Sequence, residues 1–185
     1  MRSPRLRTLA RTLLVPLLLL TWLLLAGGRG GYFAAATPPR AALRRLTLEA
    51  GEVRVLDGDT FLVRGEVVRL LGADCPEKAA EWFQGDQEPW AGRAAAFSGE
   101  ALRRARRVEL LGAAGPDGRG RALAHLLLDG EPLAAALVEA GLAWPTVSRF
   151  GDGGYPELAA EVLRRARRPE FEPPWRWRRA HRRAE

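Results

Sequence analysis

A single cysteine, Cys75, in 185 residues excludes an intrachain disulfide, so the fold must hold by packing, which a chain of this length can do without staples. Hydrophobic residues at 47% against 28% charged ones exclude a disordered chain. The net charge of +7 does not mark the body as a polyanion-binding surface, because residues 1–36 hold five arginines and no acid, residues 164–185 hold nine arginines against three acids, and the stretch between holds 15 basic and 19 acidic residues.

The chain opens with Arg2, Arg5, Arg7 and Arg11, followed by the uncharged run Thr12–Ala26. Fifteen apolar residues fall short of the roughly 20 that span a bilayer and suit the apolar region of a signal peptide. Residues 1–26 therefore read as a signal peptide or a membrane anchor. The small residues Ala34-Ala35-Ala36 offer a cleavage site, and the Gly-rich stretch before them would equally suit a retained tether. Residues 27–45, rich in Gly, Pro and Ala, read as a linker. Export is expected, with the membrane a partner if the segment stays uncleaved.

A folded domain is expected over 46–168. Leu46–Glu49 and Val53–Leu56 alternate as strands, Asp57-Gly58-Asp59 is a turn, and Phe61–Arg64 and Val67–Ala73 are strand-like runs around a Gly65-Glu66 turn. Pro89 through Arg107 carries helical spacing in Trp90, Ala94, Phe97, Ala101 and Leu102. Val108–Leu111 and Ala122–Leu128 read as strands separated by a Gly-rich loop, Gly112–Gly120. Leu133–Ala140, stopped by Gly141, and Pro156–Arg168 read as helices. The sum is an α+β domain, mainly β. Residues 169–185, with Pro173-Pro174, Trp175, Trp177 and five further arginines, break the packed pattern and read as a basic Trp/Arg tail.

Three stretches concentrate polar groups beyond what strands require: Asp57-Gly58-Asp59-Thr60, Arg69 through Glu77, and Asp117-Gly118-Arg119-Gly120-Arg121. An Asp-Gly-Asp turn alone is ordinary, and an arginine in a strand can be an edge residue with its stem along the sheet. Together they hold the parts that phosphodiester hydrolysis uses. Carboxylate oxygens suit a hard cation, a further carboxylate can activate water, and guanidinium forks match phosphoryl oxygens.

The order Asp-Gly-Asp-Thr, then Arg-Leu-Leu-x-x-Asp-x-Pro-Glu, then Asp-x-x-Gly-Arg-x-Leu-Ala resembles the staphylococcal-nuclease family, with likeness from about Val53 to Ala143. The resemblance implies a five-stranded OB-fold barrel with three helices. It also implies a calcium-dependent endonuclease acting on DNA and/or RNA, working as a monomer. By the same resemblance Asp59, Asp74 and the backbone carbonyl of Cys75 would hold Ca2+, and Asp57 would support that site. Glu77 would be the general base, and Arg69 and Arg121 would bind phosphate. Replacing either arginine is expected to slow hydrolysis without unfolding the domain. Cys75 stands where a hydroxyl residue is usual and Arg119 where a tyrosine is. Clear counterparts of the family's base-stacking tyrosines are missing, with Trp144, Phe150 and Tyr155 as substitutes. The alternative is an OB-fold module that binds nucleic acid without cutting it.

Overall fold

The computed structural model describes residues 45–183, so the leader and most of the linker lie outside the described residues. Among the described residues nine strands run in the order β1 (Arg45–Leu48), β2 (Val53–Asp57), β3 (Thr60–Val63), β4 (Glu66–Leu70), β5 (Ala73–Asp74), β6 (Val108–Pro116), β7 (Ala122–Leu128), β8 (Glu131–Pro132) and β9 (Trp144–Pro145). Helix α1 (Trp90–Arg104) precedes β6, and α2 (Leu133–Glu139) follows β8. The helices α3 (Val147–Phe150), α4 (Pro156–Arg165) and α5 (Pro174–His181) complete the chain.

The connectivity forces the main sheet to curl. Its strand order is β1-β6-β7-β4-β3-β2, with β8 pairing to β7, so β1 and β2 lie at opposite edges. Laid flat, six strands would put those edges about 24 Å apart. Five residue steps from Leu48 to Val53 reach at most about 17 Å. The one-turn helix Ala50–Glu52 must therefore fold one edge towards the other. Taken as one bent strand, β1 and β2 join β3, β4, β6 and β7 as the five strands expected, in an OB-like fold. Phe61, Val63, Val68, Leu70, Val108, Leu110 and Leu126 fill the interior, where α1 and α2 also bury residues.

Local chemistry explains most boundaries. In α1 the buried positions Ala91, Ala94, Ser98 and Leu102 recur at helical spacing, giving one stripe against the sheet. The helix ends at Arg104 rather than Arg107, because the backbone of Arg106 and Arg107 turns to donate to the Asp129 carboxylate at 3.0 and 2.8 Å. The β3–β4 hairpin turns on Arg64-Gly65, one residue before the expected pair, with φ of 50° and 86° as a two-residue hairpin requires. The run 67–73 is broken at Gly72, whose φ of 88° redirects the chain into β5.

Two expectations are corrected. The Gly-rich stretch after Leu111 is not all loop: β6 continues to Pro116 and pairs with β7 through an irregular register between Gly112 and Pro116. The C-terminal segment is not an unpacked tail. It forms α5, with Pro174 and Trp177 buried, and Trp177 packs edge-on against Phe83 with ring centroids 5.4 Å apart. Pro173-Pro174 begins this helix, as proline at a first helical position does.

Candidate active site

The β2–β3 turn delivers Asp59 into the interior. Gly58 makes the turn possible, since a Cβ there would stand 2.7 Å from the Cβ of Ala94 and 2.9 Å from that of Cys75. The Ser98 hydroxyl of α1 donates to the Gly58 carbonyl at 2.7 Å, and the Leu70 N–H donates to the Asp59 carbonyl at 2.8 Å. These bonds fix the turn from both sides. Asp59 is only 1% exposed.

Arg69 lies in β4, an interior strand that pairs with β3 on one side and runs parallel to β7 on the other, so it is not an edge residue. Its guanidinium binds Asp59 through Nη1 and Asp74 through Nη2. Asp74, 2% exposed, arrives from β5, which is held against β9 through the register Asp74↔Trp144. One cation thus joins two buried carboxylates. Burial pushes Asp59 above the usual carboxylate range, against the opposing pull of Arg69. Because Arg69 binds both aspartates, it ties the turn to β5 as well as being a candidate phosphate ligand.

Cys75 meets the site through its backbone N–H, which donates to Asp59 Oδ2 at 2.5 Å. Its thiol is buried and held in the protonated form by burial, which argues against a soft-metal thiolate. Asp57 stands aside from the pair. Its carboxylate accepts from the Gly58 N–H at 2.8 Å and lies 3.8 Å from Lys78 Nζ, while burial and then the Asp59 charge push it up to about 6. Glu77 faces Asp74 across a cation that sequence reasoning missed: Arg178 of α5 binds Glu77 through Nη1 and Asp74 Oδ2 through Nη2 at 2.9 Å. Burial raises Glu77, with Arg178 acting in the opposite sense.

Arg121 reaches the site from the β6–β7 loop. Asp117 organises that loop, accepting from the backbone N–H groups of Arg119 and Arg121 at 2.9 Å each and from Arg121 Nε at 2.7 Å. No carboxylate of the aspartate pair touches Arg121. It shares with Asp74, but not with Asp59, the walls of one cleft of about 400 Å3, lined by Arg69, Asp74, Asp117, Arg121, Phe150 and Arg178 among others. A cavity of about 500 Å3 elsewhere on the barrel, beside Arg64 and Glu66, contains none of the candidate residues. Of the three aromatics considered for base contact, Trp144 donates its indole N–H to the Phe171 carbonyl and Tyr155 its hydroxyl to the Gly112 carbonyl. Phe150 remains 68% exposed at the cleft.

A family model described as staphylococcal nuclease homologue matches residues 67–168, more than half of the chain. The chain belongs to that family. The match takes in Arg69, Asp74, Glu77 and Arg121, while Asp57 and Asp59 precede it, and Asp59 joins the group through its bond to Arg69. None of the curated proteins compared with it matches the chain. Membership carries a nuclease-like, nucleic-acid-related function in general terms.

The chemistry of the donor set bears on a metal. Asp59 and Asp74 supply only oxygen donors, and the four carboxylates Asp57, Asp59, Asp74 and Glu77 meet three cations, Arg69, Arg178 and Lys78. Oxygen donors of this kind fit a hard divalent ion completed by water or carbonyls, with Arg69 and Arg178 bound to the same two buried carboxylates here. Among the described residues no group of three or more His, Cys, Asp or Glu side chains forms a ready-made cage.

Proposed function

We propose that the protein is a calcium-dependent endonuclease that hydrolyses phosphodiester bonds of DNA and/or RNA, exported or tethered at a membrane by residues 1–26. The observation that carries the reading is the pair of buried aspartates joined by Arg69, with Asp74 and Arg69 themselves lining a cleft that Arg121 also lines. Membership of the nuclease family supports the same chemistry.

Asp59 and Asp74 would hold the cation, with the Cys75 carbonyl as a further oxygen and Asp57 adding negative charge nearby. Bound there, calcium would stabilise charge on the phosphoryl oxygens. Arg69 uses Nη1 on Asp59 and Thr60 and one N–H of Nη2 on Asp74, which leaves Nε–H and the second N–H of Nη2 for a phosphate oxygen. Arg121 gives a second donor set from the opposite loop, once its bond to Asp117 is exchanged for phosphate. Glu77 is the candidate base. Burial raises its pKa against the opposing pull of Arg178, the direction that favours taking a proton from water. The exposed ring of Phe150 offers a face to a base next to the cleaved bond.

Incubation of the protein with plasmid, single-stranded DNA and RNA, in calcium, in magnesium and in chelator, tests this reading. Cleavage in calcium that chelator abolishes is expected, with magnesium a poor substitute. Equal turnover in magnesium alone would refute the calcium role. Binding without cleavage in every condition would favour the non-catalytic OB-fold module. Export is tested by sequencing the N-terminus of the fractionated protein. A soluble start near Thr37 indicates secretion, an intact Met1 or Arg2 in membranes indicates an anchor, and intact cytoplasmic protein refutes both.

A further inference from the structure

Arg178 comes from the last helix, some hundred residues beyond the carboxylates it binds. Its Nη2 lies 2.9 Å from Asp74 Oδ2 and its Nη1 lies 3.1 Å from Asp74 Oδ1, a two-pronged grip, and the same Nη1 binds Glu77. Two guanidinium groups, Arg69 and Arg178, therefore meet at Asp74. The segment is tied to Glu77 a second time through Gln87. The Gln87 N–H donates to the Glu77 carbonyl at 2.8 Å, its Oε1 accepts from the Glu77 N–H at 3.1 Å, and its Nε2 donates to the Glu172 carbonyl at 2.8 Å. Gln87 is 7% exposed, so these bonds are shielded from water.

The rest of the segment fixes where Arg178 can be. Trp177 is buried against Phe83, and His181 stacks on Trp177 with centroids 4.4 Å apart. The Gln84 N–H donates to the His181 carbonyl at 2.8 Å and the Arg183 N–H to the Trp82 carbonyl at 3.0 Å. At the other end Phe171 packs beside Trp90, and Trp175 lies edge-on to Trp144. Docking of this kind on both sides of position 178 holds the guanidinium in one place with little conformational freedom left to lose.

We propose that Arg178 is a positioning residue of the catalytic centre: it holds the Glu77 carboxylate beside Asp74, against the repulsion of the neighbouring acids. The inference rests on the nuclease reading and on Glu77 as its base. Without Arg178, Glu77 would face Asp74 with no cation between them, and their mutual repulsion would drive the Glu77 carboxylate away from Asp74. The segment 171–183 is in this sense part of the enzyme's working centre.

The test uses the full chain and compares wild type with Arg178→Ala, Arg178→Lys and, as a control on the same helix, the exposed Arg179→Ala. Steady-state cleavage and thermal unfolding are measured for each, with and without added guanidinium salts at millimolar concentration. Removal of such an outer partner is expected to lower kcat by about 10- to 100-fold. KM should change little, R178K should recover part of the rate, and free guanidinium should restore part of the activity of R178A. R179A should behave as wild type. A wild-type protein that cleaves nothing would defeat the nuclease reading and this inference with it. An active wild type with an equally active R178A would defeat the inference alone. A loss in R178A that guanidinium does not relieve, and that tracks a fall in unfolding temperature, would show a purely structural role and overturn it.

Discussion

The two halves of the site are built in opposite ways. Asp59, Arg69 and Asp74 sit on strands or on the turn between strands, and backbone pairing fixes their spacing: Thr60 lies opposite Arg69 and Asp74 opposite Trp144. Arg178 sits on an eight-residue helix that would be marginal alone and that depends on the loop 82–87 and on Trp90 and Trp144 for its place. The first half is pre-organised by the sheet, the second by side-chain docking. The contrast implies that perturbing the sheet half should cost both stability and function, whereas perturbing the docked half can remove function while the barrel survives.

The largest effect is expected at Arg69. Arg69→Ala leaves Asp59 and Asp74 buried without their shared cation, and breaking a buried pair of this kind costs about 3–5 kcal/mol. Urea unfolding in chelator measures it. Arg121→Ala removes a partner of Asp117 that is 24% exposed and leaves that carboxylate its two backbone donors, so it should cost less, about 1 kcal/mol. Both variants should lose cleavage. Equal stability of the two would break the distinction between a structural and a ligand-facing arginine.

Trp177→Ala should come next. Removing a buried tryptophan costs about 3 kcal/mol or more where the surroundings stay put, and less where the segment can lift away. We expect the second behaviour: early protease cleavage within 171–183, a nearly unchanged barrel transition, and activity as low as that of R178A. A single cooperative loss of barrel and segment together would show instead that the docked half is as integral as the sheet half. Gly58→Ala sharpens the sheet side. The added Cβ meets Ala94 and Cys75 below 3.0 Å, an overpacking worth about 1–3 kcal/mol, and it should displace Asp59 even where the protein still folds. Wild-type unfolding and cleavage by G58A would mean that the turn is looser than its contacts indicate.

The same contrast explains what the sequence could reveal. The residues of the sheet half are close in sequence and announced by local grammar: a glycine between two aspartates, and an arginine in an apolar run that ends in Asp-Cys-Pro-Glu. Strand pairing converts that sequence spacing into spatial spacing, but the grouping of Asp59, Arg69 and Asp74 was read from the order of the three motifs and from the family they resemble. The grouping of Glu77 with Asp74 was readable too, but not the cation that joins them. Arg178 is about a hundred residues away, in a stretch whose buried stripe amounts to Pro174 and Trp177. So short a stripe does not stand out from an exposed arginine-rich tail. The one local sign was Pro173-Pro174 placed to start a helix. The extension of β6 to Pro116 was hidden for a related reason, since its glycines signal a loop and only the facing strand β7 holds them extended.

The smallest effect concerns a polar group in the barrel wall that has no such partner. His125 lies in β7, 1% exposed, with Nε2 3.4 Å from the Asp152 carbonyl, its ring edge-on to Tyr155 at 5.5 Å, and Nδ1 buried without a hydrogen-bond partner. Burial lowers its pKa below the usual 6.5, and the Asp152 carbonyl opposes this only in part. The folded protein therefore holds fewer protons on this ring than the unfolded chain as pH falls through 6.5. By linkage the stability contributed by the neutral ring is fully present above 6.5 and is lost progressively below it, until the folded ring also protonates. Urea midpoints measured from pH 8 to pH 5 should fall more steeply in the wild type than in His125→Leu, which cannot take up the proton. Parallel profiles would mean that His125 is charged or water-bonded in the fold. In that case the barrel wall, like the docked helix, would carry a polar contact that its strand pattern does not disclose.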